Sequence, residues 1–461
     1  VSVDGGHRRI TNRLFYWMAG GCGFATGVVG AAFHLAVDRL LQWPHWLADR
    51  LGTGPLTIAA GAGVAALAIT LAYLLTRYIA PETAGSGVPE VEGAMEGVRE
   101  VRWRRVLPVK FVGGVLSLSA GLVGGREGPT IHIGASIGAA LAEWLRLDKL
   151  DFHALLAAGA AAGLASAFNA PLAAVLFVIE ETRRQFRYTF RSYVAVIVAS
   201  AASAFGMELV GGTAPQFRID TDALPLVMLP LFMVLGAALG VLGLAFNKTL
   251  LMALDWRAKA FARVPILYAV IVGAAIGALA FVMPMSVSGG ERLIAEMPVA
   301  DLPLKMLALI AVVRFVGTMA SYPVGVPAGI FSPMLTLATT VGLIFGLLVE
   351  MALERSSFPV PPLTGAAFAV AAMGGLFSST IRAPLVGVVL AVELTGAFEL
   401  ILPLMVTCVT AHVVAQVLGG RPIYEVLFER SERLAGRMPS VRSAVTSSPV
   451  GIDDPPRSET R

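Results

Sequence analysis

Gly125-Arg126-Glu127-Gly128-Pro129 returns 204 residues later (333 − 129 = 204) as Gly329-Ile330-Phe331-Ser332-Pro333, each a glycine, three variable positions and a helix-starting proline. Two further matches keep the same order. Leu107-Pro108-Val109-Lys110 pairs with Leu302-Pro303-Leu304-Lys305 (303 − 108 = 195), and Ala170-Pro171-Leu172 followed by Glu180 pairs with Ala383-Pro384-Leu385 followed by Glu393 (384 − 171 = 213). One such match could arise by chance. Three in order indicate a duplicated half, with the offset growing as small loop insertions would make it. In transporters built from such halves, the substrate site lies at the repeat interface near the bilayer midplane.

The chain around these motifs is too apolar for a soluble fold. Of its 461 residues 56% are hydrophobic and only 14% charged, with a mean hydropathy of +0.75, so the bilayer must be its solvent. Stretches without Asp, Glu, Lys or Arg run Leu14–Val37, Pro55–Thr76, Ala154–Ile179, Ala223–Asn247, Val264–Gly290, Phe315–Val349, Ser356–Ile381 and Leu400–Gly420. With shorter runs flanking Lys110 and following Ser192, they make roughly ten spanning or near-spanning segments. The run from Leu14 is too long for the apolar part of a signal peptide, despite the preceding His7-Arg8-Arg9 and Arg13. Phe168-Asn169-Ala170-Pro171 and the stretch Pro323–Pro333 interrupt apolar runs. Broken helices persist at membrane depth only when buried in protein or lining a wet cavity.

The fold expected is therefore all-α: a polytopic membrane protein of two inverted-topology halves with broken and re-entrant helices. Residues 1–13 read as a cytoplasmic N-terminus, 14–211 and 212–428 as the two halves, and 429–461 as a short disordered cytoplasmic tail without a regulatory domain. Arg99, Arg102, Arg104 and Arg105 crowd one loop and Arg183, Arg184, Arg187 and Arg191 another, which puts both loops in the cytoplasm. The net charge of +4 forms no basic domain or aromatic-interleaved stripe, so nucleic acid is not an expected partner. Cys22 and Cys408 stand far apart in apolar runs. They read as isolated core thiols, with no metal site and no cofactor expected.

Gly85-Ser86-Gly87-Val88-Pro89-Glu90 reads as a loop ahead of a proline-started helix. Alternatively, its glycines let the backbone approach an ion to which Ser86 offers a hydroxyl, with helix N-terminal amides behind. The segment at Gly125 fits no nucleotide-binding pattern. Glu127 either caps its helix or is a functional carboxylate at membrane depth, where a charge costs about 2.5 to 3.5 kcal/mol; function is the preferred reading. Three helix N-termini aimed at one point would each favour an anion by about 0.3 to 1 kcal/mol, weak enough in sum to permit release. Glu180-Glu181, closing the helix begun at Pro171, is either an interfacial charge pair or a functional one. Buried Lys110 needs a counter-ion. His132 reads as a hydrogen-bonded core histidine, and His34, His153 and His412 carry no functional expectation.

In order and spacing, Gly85–Glu90, Gly125–Pro129 and Gly329–Pro333 resemble the three signature motifs of the CLC chloride channel and transporter family, in its prokaryotic chloride/proton exchanger branch. Arg421-Pro422-Ile423-Tyr424 is similar to that family's last helix, and the resemblance runs from about Phe15 to about Phe428. It implies that Ser86 and Tyr424 give hydroxyls, and Ile330 and Phe331 give backbone amides, to a central chloride. It implies that Glu127 is the external gating glutamate, Glu181 the internal proton-transfer glutamate, Glu180 its neighbour on the proton path, and Glu92 the structural partner of Lys110. A homodimer in the bacterial inner membrane, both termini cytoplasmic, exchanging chloride for protons is the implied assembly. Ala328 departs from the glycine common in the family before Gly329. Two rivals are a passive chloride channel on the same fold, against which Glu181 argues, and a membrane enzyme using Glu127 as an acid. No His, Cys or Asp cluster accompanies Glu127 to support the enzyme.

Overall fold

Apolar runs punctuated by proline and glycine become eighteen α-helices among the described residues of the computed structural model, namely 10–182, 189–211, 217, 219, 221, 225–298, 300, 302–354, 364–434 and 436. The first nine are α1 (Asn12–Leu40), α2 (Trp43–Leu51), α3 (Pro55–Tyr78), α4 (Val88–Met95), α5 (Trp103–Ser119), α6 (Glu127–Trp144), α7 (Lys149–Phe168), α8 (Pro171–Thr182) and α9 (Phe190–Gly211). The rest are α10 (Leu229–Ala260), α11 (Pro265–Val282), α12 (Glu291–Glu296), α13 (Leu304–Ser321), α14 (Phe331–Glu354), α15 (Thr364–Ile381), α16 (Pro384–Thr395), α17 (Ile401–Val417) and α18 (Ile423–Leu434). Proline opens α3, α8, α11 and α16, at the position where its missing N–H goes unused.

Nine helices among the described residues are long and apolar enough to cross a membrane. Trp17, Leu67 and Val417 stand exposed on their outer faces, as lipid-facing side chains do. Inside, small residues bring backbones together. A Cβ on Gly134 of α6 would lie 2.1 Å from the carbonyl oxygen of Gly159 on α7, and one on Gly159 2.2 Å from that of Gly134, so only glycine fits this crossing.

The two apolar runs interrupted in the sequence at Phe168–Pro171 and Pro323–Pro333 are broken helices. Ala154–Ile179 divides at Asn169, whose left-handed backbone (φ 50°) ends α7 two residues before α8 starts. Phe315–Val349 divides between α13 and α14, leaving the segment from Tyr322 to Ile330 free to enter the site.

The duplication is visible in the packing. α1 packs on α7 and α9 as α10 packs on α15 and α17, while α6 packs on α5 and α7 as α14 packs on α13 and α15. Across the divide α3 meets α11 and α8 meets α16. Equivalent elements meeting each other is the mark of a two-fold relation. Arg382 repeats the left-handed break of Asn169 (382 − 169 = 213), and the Glu393 carboxylate accepts from the amides of Leu172 (3.0 Å) and Ala173 (2.6 Å) at the start of α8.

The expected 195-residue match, however, is out of register. Pro108 lies inside α5, whereas Pro303 caps α13. Equivalents here stand 204 apart (321 − 117 = 204 and 327 − 123 = 204): Ser117 Oγ donates to the Pro327 carbonyl at 2.8 Å, and its counterpart Ser321 Oγ accepts from the Val123 amide at 3.2 Å. The offset steps once, to 213, between the start of α14 and the end of α15. The expected tail also begins too early, because α18 continues to Leu434 with Glu432 buried. Residues 1–9, 183–188 (with Arg183, Arg184 and Arg187) and 437–461 lie outside the described residues.

Candidate functional site

Two short backbone pairings pull the duplicated motifs together. Gly125 and Gly329, equivalent by the 204 offset, exchange reciprocal hydrogen bonds of 2.9 and 2.8 Å. Gly85 donates to Val326 (3.0 Å) and accepts from Ala328 (3.2 Å). The starts of α4, α6 and α14 thereby converge. Gly87, which precedes α4, has φ 85°, and a Cβ there would meet His132 at 2.5 Å. The turn therefore demands glycine at that position.

Glu127 is buried at the first position of α6, yet its carboxylate reaches across to the other half. Oε1 accepts from the Phe331 amide at 2.6 Å and Oε2 from Ser332 Oγ at 3.1 Å. Orphan amides at a helix start suit negative charge, and the carboxylate here takes that place at α14. Gly125 and Gly329 wall this carboxylate so closely that a Cβ on either would lie 2.0 Å from it. Ile330, immediately before α14, is fully buried.

Phe331 packs its ring against Phe168, Phe177, Phe377 and Tyr424, with centroids 5.1 to 6.4 Å away. Tyr424, brought in by α18, is buried, and its hydroxyl has no hydrogen-bond partner among the described residues. Ser86 is buried too, and its Oγ accepts from the Val88 amide at 3.4 Å. Glu127, Glu181 and Glu92 all lie within electrostatic reach of Tyr424.

The expected Glu92–Lys110 ion pair is not formed among the described residues. Lys110 Nζ donates instead to the carbonyls of Thr83 (3.0 Å) and Gly85 (2.8 Å), holding the loop that carries Ser86 from behind. Carbonyl oxygens thus compensate the buried ammonium. Glu92 interacts directly with Glu181 on α8, while Glu90, about 200° away around α4, pairs with Arg99. Glu180 and Glu181 are half-buried and partnered at the end of α8. His132 is buried beneath Gly87, and its Nδ1 has no hydrogen-bond partner among the described residues, where the sequence predicts a hydrogen-bonded histidine.

Three arginines escaped the sequence reading. Arg314, fully buried on α13, donates to the carbonyls of Met285, Val287, Ser288 and Gly289. Applying the 204 offset to Lys110 would have found it (314 − 110 = 204), and would have found its acceptors as well (287 − 83 = 204; 289 − 85 = 204). Arg126, next to the gate, pairs with Asp38, meets His34 Nδ1 at 3.2 Å and lies 3.7 Å from Glu291. Asp38, Arg126 and Glu291 line a cavity of about 610 Å³. Arg99, counted only as a loop charge, is a clamp: it binds Glu90 beside α4's start and, at 2.6 and 2.7 Å, Glu432 and Ser431 on α18. No group of three His, Cys, Asp or Glu among the described residues could hold a metal.

The family model "voltage gated chloride channel" matches residues 68–416. The H(+)/Cl(-) exchange transporter ClcA of Vibrio parahaemolyticus is 41% identical over 90% of this chain and 89% of its own, and that of Salmonella typhimurium 39% identical over 90% and 88%. A solved slow cyanobacterial Cl-/H+ antiporter superposes with a TM-score of 0.87 at 36% identity, covering 93% of this chain and 100% of its own. These relatives are transporters rather than enzymes. Matched over most of its length and sharing their architecture, the chain belongs to the voltage-gated chloride channel, or CLC, family.

Proposed function

We propose that the protein is a secondary active transporter exchanging chloride for protons. The observation that carries this reading is the Glu127 carboxylate seated on the Phe331 amide and the Ser332 hydroxyl. Ionised, it competes with chloride for the same positive potential. Protonated, it loses the charge that strengthens those bonds and yields the Phe331 amide, next to that of Ile330, to chloride, so proton uptake is linked to anion entry. The unpartnered Tyr424 hydroxyl and the Ser86 hydroxyl complete the chloride cradle. On the far side Glu181, with Glu180 beside it, passes protons between the cytoplasm and Glu127. The protein works in this reading as a homodimer in a bacterial inner membrane, with both termini cytoplasmic.

The test is purified protein in liposomes. A chloride gradient imposed without a pH gradient should drive protons uphill through the exchanger. Chloride current with no accompanying proton movement would establish a passive channel instead.

A further inference from the structure

The arginine-rich loop before α5 does more than mark a cytoplasmic face. It lines a second, open cavity of about 560 Å³ together with Glu143, at the end of α6, and Phe152 and His153 of α7. Trp103 is fixed in the wall, with Nε1 donating to Glu143 Oε2 at 2.6 Å and the Arg104 guanidinium 5.2 Å above its ring. Arg102 and Arg104 are the uncommitted charges. Their side chains are 59% and 78% exposed, with nearest carboxylates at 3.6 Å (Glu100) and 3.7 Å (Glu143), and exposed pairs this loose hold weakly. Arg105, by contrast, is bound to Glu82 at 2.7 Å.

The surroundings identify the ligand. Trp144 and Leu150, 85% and 60% exposed, stand where α6 ends and α7 begins, beside exposed Arg146 and Lys149. Tryptophan with arginine at the end of apolar helices is the composition of a membrane–water interface. Basic pockets between membrane helices on the cytoplasmic side take lipid head groups. A soluble anion would use the arginines and leave the apolar lining of Val101, Trp103 and Phe152 unexplained, whereas a phospholipid uses both, phosphate on the guanidiniums and acyl chains over that lining toward Trp144 and Leu150, which lie close to Glu143 and Phe152 in the chain. We infer that this cavity is a binding site for the head group of an anionic phospholipid, held by Arg102 and Arg104 against Trp103. Arg99 lines the same cavity while clamping α4 to α18, so the lipid would sit one residue contact from the elements that carry Ser86 and Tyr424.

Native mass spectrometry of the full chain, extracted from vesicles of equal phosphatidylglycerol and phosphatidylcholine, tests this without reference to transport. Wild type should retain phosphatidylglycerol in preference. Arg102→Gln with Arg104→Gln should weaken retention about twenty-five-fold, about fivefold per arginine near the surface, while the double lysine variant keeps most of it. Arg104→Gln alone, at the more exposed position, gives about fivefold should the double variant be unstable. Equal retention of both lipids, or unchanged retention by the glutamine variants, overturns the inference. Full displacement by excess inorganic phosphate would also overturn it, making this a site for soluble phosphate.

Discussion

The two halves build one backbone frame and fill it with different chemistry. In the first, Lys110 ties two carbonyls behind Ser86; in the second, Arg314 ties four behind Gly289 and Gly290, and a carboxylate, Glu291, comes next. At the centre Glu127 faces its own equivalent, Phe331 (331 − 127 = 204), and uses that residue's amide as its ligand. Duplication thus supplied two helix starts pointing at one place. Divergence put a carboxylate at one and an apolar ring at the other.

The frame itself should break most severely at the cations. Arg314→Leu strands four carbonyls, that of Gly289 buried and the others part-buried, and Lys110→Leu two, one buried and one part-buried; at up to about 1 kcal/mol for each, the losses should approach about 4 and about 2 kcal/mol. Thermal unfolding in detergent ranks the two, and a Lys110 variant no more stable than the Arg314 one would deny that they are counterparts of unequal reach.

Next in size is the clamp. Arg99→Gln removes hydrogen bonds to two carboxylates across α4 and α18, so a loss of about 2 kcal/mol is expected. Chloride affinity measured by calorimetry should weaken as well, because Ser86 and Tyr424 are no longer held in register. Lost stability with unchanged affinity would confine Arg99 to a structural part.

Glu181→Gln leaves the frame and the cradle intact. Coupled proton flux in liposomes should fall at least about tenfold, about 1.4 kcal/mol of barrier, while chloride flux persists; wild-type proton transport would remove Glu181 from the path.

The smallest effect concerns the start of α18. The Arg421 guanidinium, bonded to Glu429, holds that carboxylate below the ordinary range. A depressed carboxylate stabilises the fold above its unfolded value, and the contribution disappears as pH falls through the folded one. Arg421→Gln should therefore cost under about 1 kcal/mol at neutral pH and nothing in acid, as paired melting curves would show.

Much of this arrangement was legible in the residues because its signals are local. Proline at helix starts, a charge-free run and a lone glutamate after Arg126 each carry their meaning within a few positions. The Glu92–Lys110 pairing, taken from the family resemblance, failed because a buried ammonium is satisfied by carbonyls as well as by a carboxylate, here those of Thr83 and Gly85. Arg314 went unseen because the Leu-Pro-x-Lys match set the repeat nine residues out of register (204 − 195 = 9). Arg99 looked like its neighbours in the loop, since burial by a helix over three hundred residues away leaves no local mark.

The central claim is that the Glu127 carboxylate alternates with chloride on the Phe331 amide. Glu127→Gln, which gives the first half a neutral residue as the second already has, tests it most directly when chloride and proton fluxes are recorded together in liposomes. Chloride should continue to move while proton movement driven by the chloride gradient falls to background. Protons still driven uphill by the glutamine variant would contradict the account.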